Sequence, residues 1–263
     1  MKRTALTLFT LLYFTACTQT SNPEQPEQSA AALPADSVST DSIAIDSLSS
    51  TPLCQSNAPM FAPQDGSIND ASLQEYLRDL AQAVQQQDAP KLLILLDPHI
   101  ATGFDASGGL DTFKERWHPE TKASVLWPML HQMLELGGTR LQQQGGDSSN
   151  FALPYVYSAW PDSLNAFTYR AVVHNGAILR EEPAANAAAV CALSRVILKV
   201  DYSKSYPQQD NVREKEWWYV TSPDGQLKGY LYKSDLYSPV GYRALFNKNK
   251  QGQWHMTALV SGD

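Results

Sequence analysis

The stretch WWYVTSPDGQLKGYLY, residues 217–232, places two aromatic-rich segments on either side of a Pro-Asp-Gly turn. Aromatic and β-branched side chains favour strands, and proline followed by glycine favours a tight reversal of the chain. The stretch therefore predicts a β-hairpin. Short apolar segments separated by turn residues surround it, from residue 171 to residue 237, and their spacing predicts a small β-barrel.

Alternation along the first arm of this hairpin divides its side chains into two sets. Trp217 and Tyr219 share one face of the predicted strand, and Trp218 and Val220 share the other. Because Val220 is aliphatic, we expect its face to pack into the core and to carry Trp218 inward. Trp217 and Tyr219 are then expected to be partly exposed to solvent.

Residues 171–237 resemble the bacterial SH3-like (SH3b) domains. The segment ILREEP, residues 178–183, stands where that family has V-R-x-x-P, and WWYV at 217–220 matches its W-x-x-V strand. The residues DG at 224–225 and GYL at 229–231 match its closing D-G…G-Y/W-V hairpin. The resemblance implies that this part of the chain is a small SH3-like β-barrel.

Related SH3-like domains in envelope proteins bind cell-wall peptides or glycans on aromatic side chains. Flat rings suit this role because they bury a large area at a small cost in conformational entropy. By this resemblance the ligand-binding residues are Trp217, Tyr219, Tyr230 and Tyr232. The alternative interpretation is that these rings only fill or cover a small core.

The N-terminal residues have the pattern of an export signal. Two basic residues precede an apolar run at 5–14, which is too short to span a bilayer. The residues FTAC at 14–17 resemble the lipobox of bacterial lipoproteins, in which the cysteine is joined to diacylglycerol and becomes the first residue after cleavage. We expect residues 1–16 to be a lipoprotein signal peptide and Cys17 to be lipidated. The alternative is an ordinary signal peptide.

The composition of residues 17–65 predicts a disordered tether, because this segment is rich in small polar residues and poor in large apolar ones. Thr18 follows the cysteine where Asp would indicate retention in the inner membrane. We therefore expect the lipid anchor to lie in the outer membrane, on its periplasmic or surface face.

A five-residue unit beginning Asp-Ser-aliphatic occurs three times in residues 36–50. It resembles the O-glycosylation pattern of Bacteroidota, in which Asp precedes the modified hydroxyl residue. The resemblance implies O-glycosylation at Ser37, Ser42 and Ser47. The alternative is that the repeat is ordinary low-complexity sequence.

Residues 66–170 begin with helical periodicity. Asp70 and Asp88 are predicted N-caps of two helices, and Pro98 is expected to end the second. Gly108 and Gly109 precede a third predicted helix. A fourth covers residues 125 to 136 and stops at a pair of glycines, a C-cap signal.

Residues 238–263 predict one further hairpin. A small barrel that already closes at Leu236 has no room for its two strands. We expect this hairpin to pair with residues 139–158 and to complete the first domain, with the SH3-like module inserted at 171–237. Helices followed by such a sheet also resemble the NTF2-like α+β cones. The predicted fold class is α+β, and the whole arrangement resembles the SH3 domain-containing lipoproteins of Bacteroidota.

Two cysteines remain besides Cys17. Cys54 lies near the end of the tether, and Cys191 lies in an apparent strand of the β module. Thiols in an oxidising envelope can form a disulfide. The sequence leaves open whether these two are paired or free.

Charge and motifs limit the classes of function. The chain has 20 Lys and Arg against 27 Asp and Glu, a formal net charge of −7, so nucleic acid is an unfavourable partner. His99, His118 and His131 lack the spacing of metal ligands, and no metal site is predicted. The sequence also contains no cofactor motif and no recognisable catalytic constellation.

Three functional hypotheses fit these observations. We expect a non-catalytic cell-envelope lipoprotein whose SH3-like module binds peptidoglycan or an envelope protein. The first alternative is an enzyme with an NTF2-like pocket in the first domain, for which Asp97, His99 and His131 are the available acids or bases. The second alternative is a structural subunit of an envelope assembly.

The lipid anchor is tested by Cys17→Ser, which removes the thiol that diacylglycerol requires. We expect the wild-type protein to partition into the detergent phase of Triton X-114, because acyl chains prefer an apolar medium. The variant should keep its signal peptide and therefore be larger than the wild-type product, and globomycin should likewise block cleavage of the wild-type protein. Cys191→Ser is the control and should keep the detergent partition. An unchanged mature size and partition of Cys17→Ser would contradict lipidation.

Overall fold

The computed structural model describes residues 51–103, 108–141, 150–209 and 214–262, which belong to one compact unit. The expected signal peptide and the predicted modification sites Cys17, Ser37, Ser42 and Ser47 lie outside the described residues. Within those four ranges, no helix combines the length and the apolar composition needed to cross a bilayer.

The fold is mixed α+β, with more of the described residues in strands than in helices. The helices are α1 (Ala71–Gln86), α2 (Ala89–Ile94), α3 (Leu110–Trp117), α4 (Leu126–Leu136) and α5 (Tyr155–Ser158), and a short 3-10 helix covers Lys233–Asp235. The strands are β1 (Leu96–Ala101), β2 (Thr139–Arg140), β3 (Phe151–Leu153), β4 (Tyr169–Val172), β5 (Ala177–Arg180), β6 (Ala189–Leu193), β7 (Ile197–Tyr206), β8 (Trp217–Thr221), β9 (Lys228–Tyr232), β10 (Leu236–Tyr237), β11 (Arg243–Lys248) and β12 (Trp254–Val260).

The first sheet has the strand order β1-β12-β11-β3-β2 among the described residues. Strand β1 runs parallel to β12, and the other neighbours are antiparallel. Strand β11 of the C-terminal hairpin pairs with β3, which lies inside the segment 139–158 that we expected as its partner. Helices α1 to α4 share one apolar core with this sheet, built from residues such as Leu73, Leu80, Phe113, Trp127, Leu130, Phe246 and Met256.

The helix starts predicted from capping residues are confirmed. The Asp70 carboxylate accepts from the Leu73 amide at 2.9 Å, and the Asp88 carboxylate accepts from the Lys91 amide at 3.0 Å. These bonds satisfy backbone donors that have no partner inside the helix. The third and fourth predicted helices are also present, as α3 and α4.

The prediction that the second helix extends to Pro98 was wrong. Helix α2 ends at Ile94, and Leu96–Ala101 is a strand at the edge of the first sheet. Proline is tolerated there because an edge strand leaves one row of backbone groups without a ladder partner.

The second sheet has the order β10-β4-β7-β8-β9-β5-β6, and its neighbouring strands are antiparallel. The described strands do not close into the small barrel that the sequence predicted, because β10 and β6 form two separate ends. The outer edge of β6 is occupied by another segment. The Ala192 amide donates to the Pro52 carbonyl at 2.8 Å, and the Cys54 amide donates to the Ala192 carbonyl at 2.9 Å.

Residues 52–61 were expected to belong to the disordered segment that extends to residue 65, but the structure orders them against the second sheet. The Ile197 amide donates to the Pro59 carbonyl at 3.1 Å, and the Phe61 amide donates to the Arg195 carbonyl at 2.7 Å. The side chain of Phe61 is buried. Residues 52–61 thus belong to the folded unit, because hydrogen bonds to a sheet edge and burial of apolar groups offset the entropy of ordering them.

Cys54 and Cys191 form a disulfide that fixes this segment to the second sheet. Their Cα atoms are 5.0 Å apart, and 137 residues separate them in sequence. The bond links residue 54 directly to β6.

A further apolar core joins the two sheets. It combines residues of the first half, the 52–61 segment and the second sheet, namely Phe61, Leu136, Tyr155, Val156, Ala171, Val173, Ile197 and Tyr237. The buried Tyr155 hydroxyl donates to the Phe61 carbonyl at 2.9 Å. The strands of the second sheet lie between β3 and β11 in chain order, so this core fixes both ends of the inserted segment.

Asp70 connects the start of α1 to the C-terminal hairpin. Its carboxylate accepts from the Ser72 hydroxyl at 2.6 Å, from Arg140 Nη2 at 2.7 Å and from Lys248 Nζ at 3.5 Å. The Ser72 hydrogen bond is the largest cause that holds the pKa of Asp70 well below its usual range, and the Arg140 and Leu73 donors and the Lys248 charge add to it while burial opposes it. Trp254 Nε1 donates to the Ser72 hydroxyl at 3.1 Å.

Asp70→Asn is expected to lower the free energy of unfolding at pH 7 by about 1 kcal/mol or more, since the variant loses charge-assisted bonds at a helix cap. The folded pKa of Asp70 is below the unfolded value, so its stabilisation is complete above about pH 5 and is lost as the pH falls. The stability difference between wild type and variant should therefore shrink toward pH 3. Urea unfolding followed by circular dichroism measures both quantities. Asp162→Asn, at an exposed turn, is the matched control, and an undiminished difference at low pH would contradict this role.

Cys54→Ser and Cys191→Ser are each expected to lower the free energy of unfolding by about 2–4 kcal/mol, because the open chain gains entropy when unfolded. Urea unfolding with and without dithiothreitol provides the measurement. Reductant should destabilise the wild-type protein and leave both variants unchanged. Labelling of two thiols with iodoacetamide in the native, unreduced protein would show that the bond is absent.

Candidate functional site

The four aromatic residues predicted to bind ligand lie on one face of the second sheet. Trp217 pairs with Tyr232 across β8 and β9, and Tyr219 pairs with Tyr230. Directly opposed residues of antiparallel strands point to the same face. Their ring centroids are 5.1 Å and 5.2 Å apart, in edge-to-face geometry, and all four side chains are half-buried.

The opposite face of β8 enters the core, as its alternation predicted. Trp218 and Val220 are buried, and both belong to the apolar core of the second sheet with Leu231 of β9. This burial fixes the register of β8, because a slip of one residue would place Trp217 and Tyr219 in the core.

Tyr206 extends the aromatic surface and is not among the ligand-binding residues predicted from the sequence. Strand β7 continues to Tyr206, which pairs with Trp217 beyond an irregularity in register. Its ring lies 6.1 Å from that of Tyr230 and is 40 % exposed. We call the surface of Tyr206, Trp217, Tyr219, Tyr230 and Tyr232 the aromatic face.

Charged side chains border the aromatic face. Lys204 Nζ lies 5.0 Å from the Tyr219 ring centroid and 3.3 Å from an Asp201 carboxylate oxygen. Tyr232 donates its hydroxyl hydrogen to Glu216 at 3.3 Å. Arg180 of β5 stands opposite Tyr230. A ligand on these rings therefore meets both signs of charge at the border.

The hydroxyl of Tyr230 is a hydrogen-bond donor at neutral pH. Burial is the first cause that raises the pKa of Tyr230, and Tyr206, Tyr219 and the Asp201 carboxylate add to it, while the Lys204 ammonium opposes it. A raised pKa keeps the phenol protonated, so the centre of the aromatic face offers a neutral polar group beside its rings.

A cleft of about 550 Å³ adjoins the aromatic face at Trp217 and Tyr232. Its other walls include Ile178 and Arg180 of β5, together with Glu216 and Asp235. Arg180 Nη1 donates to the Ala187 carbonyl at 2.7 Å, which fixes the guanidinium at the rim.

Asp235 is a half-buried carboxyl in this cleft. Burial raises its pKa, and the neighbouring His174 and Arg180 oppose that shift. The cleft thus combines aromatic walls with a half-buried carboxyl, a fixed cation and an exposed carboxylate. Such a mixture suits a polar ligand with amide or hydroxyl groups.

The remaining candidate residues, which are Asp97, His99, His118 and His131, do not come together in one site. His99, His118 and His131 are exposed, and the latter two lie 3.4 Å from the carboxylates of Glu120 and Glu135. The Asp97 carboxylate accepts from the backbone amide of His99 at 2.7 Å. Among the described residues, no three His, Cys, Asp or Glu side chains are grouped closely enough to hold a metal ion.

Comparison of the chain with family models, with curated proteins and with solved structures gives no match, so the site must be interpreted from its own geometry.

Proposed function

We propose that this protein is a non-catalytic, lipid-anchored protein of the cell envelope that binds peptidoglycan on the aromatic face and in the adjoining cleft. The observation that carries the proposal is the set of five rings, which remain partly exposed although they lie on a well-paired sheet. In a monomer without a ligand, such rings gain more by packing inward. Their arrangement on neighbouring strands leaves a continuous surface for flat or extended ligands.

The chemistry of the site fits wall fragments, which contain sugars, amides and both charge signs. Sugar rings present apolar C–H faces that stack on aromatic side chains. Peptide amides find donors and acceptors in the Tyr230 hydroxyl, Arg180 and Glu216. The half-buried Asp235 accepts a hydrogen bond from an ammonium or amide group of the ligand.

We further propose that the second sheet is an SH3-like module inserted in an NTF2-like first domain. Support comes from the antiparallel run β7-β8-β9-β5-β6 and from the turn at residues 223–225, which follow the segments that resemble the family. The segment 52–61 stands at the edge where closure of such a barrel is expected.

An enzyme with a pocket in the first domain has less support. The space between the helices and the first sheet is occupied by large side chains that are fully buried, among them Phe113, Trp127, Leu130 and Phe246. Of the acids and bases available to that hypothesis, Asp97 and His99 lie on the edge strand β1 and His131 lies on α4, and both histidines are exposed.

Trp217→Ala and Tyr219→Ala test the binding role. Each removes one ring from a site where stacking dominates, so each is expected to weaken binding to purified peptidoglycan by about tenfold or more. Co-sedimentation of the mature protein with sacculi, over a range of sacculus concentrations, provides the apparent affinity. Near-ultraviolet circular dichroism checks that the variants remain folded.

Phe167→Ala is the matched control, because Phe167 is 62 % exposed and lies outside the aromatic face. It should bind sacculi as the wild type does. If the wild-type protein does not sediment with sacculi, or if the two variants bind as well as Phe167→Ala, the peptidoglycan proposal fails.

A further inference from the structure

A second cavity lies where β4, β7 and β8 meet, and the cation Arg170 lies in its wall. Its volume is about 770 Å³, and its walls include Arg170, Lys199, Asp201, Tyr202, Trp218 and Ser222. Trp218 takes part through the face of β8 that is opposite to the aromatic face. The cavity therefore shares Asp201 with the border of the aromatic face, but none of the five rings of that face lines it.

Arg170 reaches this cavity from β4. It pairs with Leu198 of β7, so its side chain points to the same face as the buried Leu198. The guanidinium carbon lies 3.9 Å from the Trp218 ring centroid. A cation stacked at this distance on an indole is attracted by the ring, and the stack fixes the plane of the guanidinium.

The charge of Arg170 has no ionic partner in the part of the chain that the structure describes. No carboxylate lies within ion-pair distance of it there, and its Nε is buried without a hydrogen-bond partner. Burial lowers the pKa of Arg170 to about 10, while attraction to Glu214 opposes this. The group is still charged at neutral pH, so the fold maintains a largely buried cation whose compensation by Glu214 comes only from beyond ion-pair distance, which is costly.

Positive charge exceeds negative charge around the cavity even when Glu214 is counted, because Glu214 attracts Arg170 only from beyond ion-pair distance. Asp201 is the carboxylate of the wall, but it accepts from the Ser203 hydroxyl at 2.6 Å and pairs with Lys204 at 3.3 Å. Lys199 adds a second cation to the wall. Behind Tyr202, the buried Lys215 places its ammonium 4.1 Å from the ring centroid. The local potential therefore favours an anion.

We infer that this cavity binds a small carboxylate with an apolar or aromatic body, whose carboxylate pairs with Arg170 and whose body lies against Trp218 and Tyr202. A guanidinium offers parallel donors that match the two oxygens of a carboxylate, and such pairs are among the strongest hydrogen-bonded contacts in proteins. The rings supply area for the body of the ligand. The Ser222 hydroxyl is already committed to Asp224, which leaves Arg170 as the main polar anchor.

The test uses the complete mature protein labelled with 5-fluorotryptophan, with the Trp218 resonance assigned by Trp218→Phe. Phenylacetate is the probe, and phenylacetamide is its neutral isostere. We expect phenylacetate to shift the Trp218 fluorine signal saturably, with half-saturation at about 1 mM. Phenylacetamide should bind at least about tenfold more weakly, because it lacks the charge that pairs with Arg170.

Variants separate this site from the peptidoglycan site. Arg170→Gln should weaken phenylacetate binding by at least about tenfold, and Arg170→Lys should retain part of it, since lysine keeps the charge but loses the paired donors. Trp217→Ala should leave phenylacetate binding unchanged, whereas it weakens binding to sacculi. Glu214→Gln should leave binding equal or tighter, because Glu214 competes for the same cation.

The inference is overturned if the Trp218 signal shows no saturable shift with phenylacetate up to about 20 mM, twenty times the expected half-saturation. Equal binding of the acid and the amide to the wild-type protein would also overturn it, and this comparison stands even if Arg170→Gln does not fold. If a folded Arg170→Gln variant binds phenylacetate as the wild type does, the shift comes from a different part of the protein and the inference fails. Strong binding that appears only in Glu214→Gln would show that Glu214 is the natural partner of Arg170.

Discussion

The register of β8 between β7 and β9 is the constraint on which both proposed sites depend. Side chains of a strand alternate with a period of two residues, so burial of Trp218 and Val220 forces Trp217 and Tyr219 to the other face. The first pair closes the core of the second sheet and provides the ring on which Arg170 stacks. The second pair provides the centre of the aromatic face. A shift of β8 by one residue would turn Trp217 into the core and Trp218 onto the aromatic face.

The edge of the second sheet explains why this register is stable. Strand β6 would present unpaired backbone groups, but residues 52–54 bond to it and the Cys54–Cys191 disulfide keeps them there. The Phe61 side chain then joins the core between the two sheets. The same covalent link that protects this edge from pairing with other chains also keeps residues 52–54 in the folded unit.

Local signals in the sequence were sufficient for part of this structure. Asp70 and Asp88 accept from backbone amides only a few residues away, and the alternation of residues 217–220 needs no knowledge of the partner strand. The predicted barrel closure was wrong because closure depends on which segment reaches the β6 edge, and that segment lies 137 residues away across the disulfide. Leu96–Ala101 was assigned to a helix end because its strand character arises from parallel pairing with distant β12. Tyr206 was missed because an irregularity in β7 breaks its alternation, and Arg170 was missed because only the folded sheet places it over Trp218.

The net charge of −7 and the cations of the second sheet are compatible, because they act over different distances. At physiological ionic strength the Debye length is about 8 Å, so a bound group senses mainly the charges in its immediate surroundings. Around the Arg170 cavity these are the cations of Arg170, Lys199 and Lys215 and the carboxylate of Glu214, with Asp201 balanced by Lys204. The acidic remainder of the protein repels large polyanions at long range while this cavity still attracts a small carboxylate at short range. Overall charge and local charge therefore select different ligands, and only the local charge bears on the specificity of this cavity.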